Sequence, residues 1–96
     1  MKIVAIGKLL PGAPEEKIYA LLKEEAARAY ELYTTDVFRE LYFRTDQPGA
    51  VIMLECADVA AARKIIAALP MVKAGLTAFD LIPLGPFKSF ESLFAK

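Results

Sequence analysis

Histidine is absent from this chain of 96 residues, and cysteine occurs once, at Cys56. These two scarcities leave no Cys/His cluster for zinc or iron. No group of Asp and Glu has the loop spacing of an oxygen-ligand site either, so neither a metal nor a cofactor is expected. A lone cysteine cannot close an internal disulfide, and nothing therefore points to an oxidising compartment. Net charge is lacking as well: twelve Lys and Arg balance twelve Asp and Glu. That balance, with the basic residues scattered, provides no field to draw the chain onto nucleic acid. Long apolar runs are missing, which leaves no membrane span. The N-terminal run Lys2–Lys8, broken by Gly7, is too short for a secretory leader. The expectation is a cytoplasmic protein that touches neither nucleic acid nor membrane. No catalytic motif, internal repeat or low-complexity segment occurs.

What the chain has in quantity is apolar side chain, 56% of its residues. One small domain, residues 1–96, buries well under three quarters of its surface. Part of the apolar excess is therefore expected at an interface with a second copy. Lys2 to Lys8 reads as a first strand, and Leu10-Pro11-Gly12-Ala13-Pro14 as a turn. From Glu15 the period changes: Ile18, Leu21, Leu22, Ala26, Ala29, Leu32 and Tyr33 mark one face of an amphipathic helix. Val37 to Thr45 and Ala50 to Cys56 read as two strands joined at Asp46-Gln47-Pro48-Gly49. Asp58 is an N-cap for a second helix, with Val59, Ala62, Ile65, Ile66 and Leu69 inward and Pro70 as its stop. After a bend at 72–76, Leu76 to Leu84 forms the last strand, where Pro83 implies an edge or a strand end. Phe87, Phe90, Leu93 and Phe94 follow at helical spacing in a tail, residues 86–96, expected to pack on a partner subunit. The order βαββαβ predicts an α+β, ferredoxin-like fold: a four-stranded antiparallel sheet with two helices on one face.

Alternation then sorts the sheet residues. With a regular hairpin, Arg44 is expected opposite Val51, Tyr42 opposite Met53 and Glu40 opposite Glu55. Leu41, Phe43, Ile52, Leu54 and Cys56 take the helix-covered face. The open face holds Val4, Ile6, Lys8, Glu40, Tyr42, Arg44, Met53 and Glu55, with Asp80 and Ile82. That face is too apolar to stay wet and too charged to bury unpaired, which favours two copies packed face to face. Cys56, on the covered side, is expected to be a buried, inert thiol.

The order of elements, the helix ending in Leu69-Pro70, the following Met71-Val72 and the strand Phe79-Asp80-Leu81-Ile82-Pro83-Leu84 resemble the muconolactone isomerase-like family of the dimeric α+β barrel superfamily. The resemblance covers nearly the whole chain in layout and is sharpest over 69–84. It implies a homodimer or an assembly of dimers, and a small-molecule cavity between sheet and helices. It also implies proton transfer on a lactone without a cofactor. Such an isomerisation needs a base and an acid with pKa values near neutrality. Glu40 and Glu55, if opposed, would repel and raise one pKa, and Tyr42 could donate to an oxyanion. These three are the catalytic candidates. Arg44, with its planar fork, and Lys8, Asp80 and Met53 are the substrate-binding candidates. Each has a packing alternative: ion pairs from the glutamates to Arg39, Arg44 or Lys8, an interface role for Tyr42, an Arg44–Asp46 pair in the turn. Two readings result, a cofactor-free isomerase and a non-catalytic ligand-binding or oligomerisation module. A cofactor-free oxygenase is a third, by fold analogy alone.

Overall fold

The sheet of this computed structural model, which describes residues 1–95, is built from the strands that alternation predicts. They are β1 (Lys2–Leu9), β2 (Phe38–Phe43), β3 (Ala50–Glu55) and β4 (Thr77–Leu84). The spatial order is β2-β3-β1-β4, with every neighbouring pair antiparallel. This is the ferredoxin-like arrangement, with β4, which contains Pro83, on an edge where proline is tolerated. The helices are α1 (Glu15–Thr34), α2 (Val59–Ala67) and α3 (Pro70–Lys73), and a 3₁₀ turn spans Lys88–Leu93. Lys96, the last residue of the expected tail, lies outside the described residues. Among those described, no helix is long and apolar enough to cross a membrane, and no group of His, Cys, Asp and Glu is placed to hold a metal ion.

Local chemistry explains the element ends. The Asp58 carboxylate accepts the Ala61 N–H at 2.8 Å and caps α2, which satisfies one orphan donor. At the other end α2 stops at Ala67, earlier than expected, and Pro70 opens α3 instead of only ending its predecessor. Proline suits a first helical turn because its missing N–H would have had no partner there. Helix α1 ends in a Schellman motif: the Asp36 N–H donates to Tyr33 O and the Val37 N–H to Leu32 O. Asp36 sits at φ 65°, the left-handed position that glycine usually takes.

The hairpin register differs from the expected one by two residues. Arg44 N–H donates to Gly49 O at 2.8 Å, so the loop is 45–48. Tyr42 then faces Val51, and Glu40 faces Met53. The chain reverses this early because Gly49 lies against the Gly7 carbonyl, where any side chain would collide. The offset is even, so every residue keeps its face. A bulge at Arg39 separates the Glu40/Met53 pair from Phe38/Leu54. The Arg39 side chain donates from Nε to Asp36 O at 2.6 Å.

The core lies between the middle strands and the helices. Ile3, Ala5, Ile52 and Leu54 meet Phe38, Leu32 of α1, Ala62 and Ile66 of α2, and Leu69. Cys56 packs partly buried against this cluster. Helix α1 seals the core only near its C-terminal end, where Leu32 is its one buried residue. Its N-terminal half stands off the sheet and leaves Leu22 45% exposed.

Candidate functional site

The stand-off of α1 opens a cavity of about 390 Å³ between that helix and the covered face of the sheet. This lies within the range of small-molecule pockets. Ile18, Leu22, Glu25 and Ala29 of α1 form one wall, Gly7, Ile52 and Phe79 the opposite one. Leu41 and Phe43 of β2 stand at the outer rim, with Pro48 and Gly49 of the hairpin and Met71 of α3. Small residues make the space: a side chain at Gly7 would meet the Phe79 ring at 2.6 Å, so the ring lies directly against the bare β1 backbone.

Almost every wall group is apolar, and the exceptions are informative. Glu25 projects from α1 at the position where the 18, 22, 25, 29, 32 stripe otherwise carries apolar residues. Its carboxylate accepts the Met71 N–H at 3.1 Å. Burial pushes the Glu25 pKa above the ordinary 4.5, and the bond from Met71 offsets only part of that rise. Thr77 also borders the cavity, and among the described residues its buried hydroxyl has no hydrogen-bond partner. Lys8 and Tyr42 lie at the margin. Glu25 and Thr77 escaped the sequence reading. The available signal was a single charged residue on a 4-3-4-3 apolar stripe.

The residues expected to form a site fall mostly elsewhere. Tyr42 and Glu40 do meet: the phenol donates to Glu40 Oε1 at 2.6 Å. That bond, and the charge of Glu40, raise the Tyr42 pKa. Glu40 and Glu55 are not opposed, because the register and the Arg39 bulge separate them. Glu55 pairs with Lys2 on β1 and stands 3.3 Å from the N-terminal amine. Arg44 spends its fork on Asp46, with bonds of 2.9 and 2.8 Å, and its Nη1 donates to Gly7 O at 3.2 Å. The pair holds Asp46 below the usual carboxylate range, so Arg44 is committed to the turn. Asp80 is exposed on β4 opposite Ile6, and Met53 sits half-buried on the open face between Val4 and Glu40. Burial pushes the Cys56 thiol upward, away from reactivity.

Comparison with known proteins places this geometry among solved folds. No family model and no curated protein matches the sequence. Muconolactone isomerase superposes with a TM-score of 0.76 at 18% identity, over 93% of each chain. The 5-chloro-2-hydroxyhydroquinone dehydrochlorinase of Burkholderia phenoliruptrix, solved with 2,5-dihydroxybenzoquinone, superposes at 0.74 with 17% identity. It covers 93% of this chain and 98% of that one. A Deinococcus radiodurans protein provisionally named an antibiotic biosynthesis monooxygenase gives 0.51 at 18% identity, over 90% and 94% of the two chains. At these identities the likeness is one of fold, and it agrees with the family that the 69–84 segment resembles.

Proposed function

We propose that this protein binds a small, largely apolar, oxygenated ring compound in the α1–sheet cavity and moves a proton on it without a cofactor, in the cytoplasm. The observation that carries the reading is Glu25, one half-buried carboxyl in an otherwise apolar wall, whose pKa burial raises. A carboxylate in such surroundings is a stronger base than one in water, and its protonated form persists long enough to act as the acid. An isomerase and a dehydrochlorinase sharing this fold support a substrate of that class.

On an unsaturated lactone the step balances as follows. The Glu25 carboxylate takes the acidic ring-carbon proton, and the C–H electron pair moves through the conjugated system to the lactone carbonyl oxygen as a dienolate. The protonated Glu25 then returns the proton to the carbon beside the carbonyl, the electron pair flows back from the oxygen, and the double bond has moved by one position. No group leaves and nothing is oxidised. The unpartnered Thr77 hydroxyl is the donor suited to the developing oxyanion, and Lys8 at the margin suits a substrate carboxylate. Tyr42, with Glu40 behind it, borders the entrance. The open sheet face, where Glu55, Asp80 and Met53 lie beside Val4 and Ile6, is assigned to packing between two copies.

The test is proton NMR of muconolactone with wild type and Glu25→Gln in deuterated water. Wild type is expected to catalyse isomerisation or exchange of the acidic proton, and the variant to lose at least about 100-fold while still folded. Saturable binding with no exchange would make the cavity a non-catalytic ligand site. Exchange undiminished in Glu25→Gln would refute the role of Glu25.

A further inference from the structure

We infer that the ligand is two-ended: its ring oxygens lie at the α3 corner of the cavity, beside Glu25 and Thr77, and the substituent it carries toward β2 is uncharged and apolar. This narrower substrate class rests on the reading of the cavity as the ligand site. The polar groups of the wall gather at one place. Helix α3 packs against both α1 and β4. Met71, its second residue, donates its N–H to the Glu25 carboxylate at 3.1 Å. The Met71 carbonyl accepts the Leu76 N–H at 2.9 Å, and Thr77 follows directly as the first residue of β4. Side chains from α1 and β4 thus meet around one residue of α3. The Thr77 hydroxyl is buried and, among the described residues, has no partner. A ligand oxygen at this corner supplies the hydrogen bond that such a group otherwise forfeits.

The far end of the cavity has the opposite character. β4 and β2 are the two edges of the sheet, three strand spacings or about 14 Å apart. A lactone ring seated at the α3 corner leaves much of that width to be filled. The walls there are Ile18 and Leu22 of α1 with Leu41, Phe43 and Ile52 of the sheet. Among the described residues, none that lines this end is cationic. Arg44 is bonded to Asp46. Lys8 shares the parity of Val4 and Ile6, so alternation gives it to the open face, and it is exposed where it borders the cavity. An ion pair at such a position is worth little. A carboxylate carried into this end would lose its water without gaining a partner. Each methylene buried there instead gains roughly fourfold in affinity.

The test compares two probes of equal shape on the isotope-labelled full chain at pH 7, with affinities and contacts read by NMR. Muconolactone carries a carboxymethyl group on its ring, and its isobutyl counterpart has the same shape without the charge. The isobutyl lactone is expected to bind at least about tenfold tighter, with NOEs from its methyl groups to Leu41 and Phe43. Leu41→Lys, at a partly exposed edge position, should shift the preference at least about tenfold toward the carboxylate. Glu25→Gln should keep the isobutyl preference, because the apolar wall sets it. Equal or tighter binding of muconolactone to wild type would overturn the inference. So would methyl NOEs to Thr77 in place of Leu41, a preference unmoved in folded Leu41→Lys, or a preference lost in Glu25→Gln. None of these readouts uses turnover. An isobutyl preference without proton exchange would sink only the proposed activity, whereas binding of neither probe would sink the ligand-site reading and this inference together.

Discussion

Replacing Gly7 by alanine tests whether the cavity wall is built as described, because two opposing effects must be weighed. Glycine inside a strand is a weakness, and alanine at an unstrained position would ordinarily gain about 0.5–1 kcal/mol. Here the new methyl would sit 2.6 Å from Phe79 Cε2, 2.9 Å from Phe79 Cζ and 2.9 Å from the Ala50 carbonyl oxygen. The ring can turn aside, into the cavity it lines. The carbonyl cannot, because Ala50 belongs to β3, which is hydrogen-bonded to β1 and to β2. Overpacking of this kind costs about 1–3 kcal/mol. Three contacts under 3.0 Å, one of them to backbone, place the cost in the upper part of that range, about 2–3 kcal/mol, so the net loss is about 1–2.5 kcal/mol. For a chain of this size that lowers Tm by roughly 4–20 °C.

Thermal melts followed by circular dichroism give the first answer, and a double-mutant cycle with Phe79→Leu gives the sharper one. Removing the ring relieves two of the three close contacts, so Gly7→Ala should cost at least about 0.5 kcal/mol less in the Phe79→Leu background. Ligand affinity in Gly7→Ala should fall as well, since the displaced ring occupies the binding space. A Tm equal to or above wild type, or additive single and double variants, would refute the placement of Phe79 against the β1 backbone.

Two further outcomes follow from the same contacts. Glu25 has a raised pKa in the folded protein, so the folded state holds its proton after the unfolded chain has released it. Wild-type stability should accordingly fall, relative to Glu25→Gln, as pH rises from the ordinary 4.5 to the raised folded value. Urea titrations of both proteins at several pH values measure the difference, and an opposite slope would mean the carboxylate is solvated or paired. Asp36→Gly relieves the left-handed strain at the end of α1 while keeping the carbonyl that Arg39 contacts. It should stabilise the fold by about 0.5 kcal/mol, read from the same urea curves.

The layers were legible in the sequence because alternation and helical spacing depend only on neighbours along the chain. Leu41 with Ile52, and Val4 with Met53, fall on the faces their parity dictates. Register was less legible, since it depended on Gly49 meeting the Gly7 backbone across the sheet. A two-residue error left the faces intact and yet dissolved the Glu40–Glu55 pair on which the expected base rested. Pro70 was ambiguous for a different reason: the same ring that stops one helix is suited to begin the next, and only the intervening Ala68-Leu69 step decides.

The site itself was hidden because a cavity is a property of volumes between layers rather than of patterns within one. Ile18, Leu22 and Ala29 look like core residues in any helical projection, and they do face the sheet. They fail to fill the gap because their opposite numbers include Gly7 and because α1 is held down only at Leu32. In a filled core a carboxylate at position 25 would be a defect costing several kcal/mol. Against an open cavity it is tolerable, half-wet and anchored by the Met71 N–H. The charged residue on the stripe and the stand-off of the helix therefore explain each other. Filling the cavity by Ala29→Leu should then raise the Glu25 pKa further by excluding water. A carboxyl ¹³C NMR titration that showed no change, in a variant that remains folded, would separate the two features and remove the basis for assigning the chemistry to Glu25.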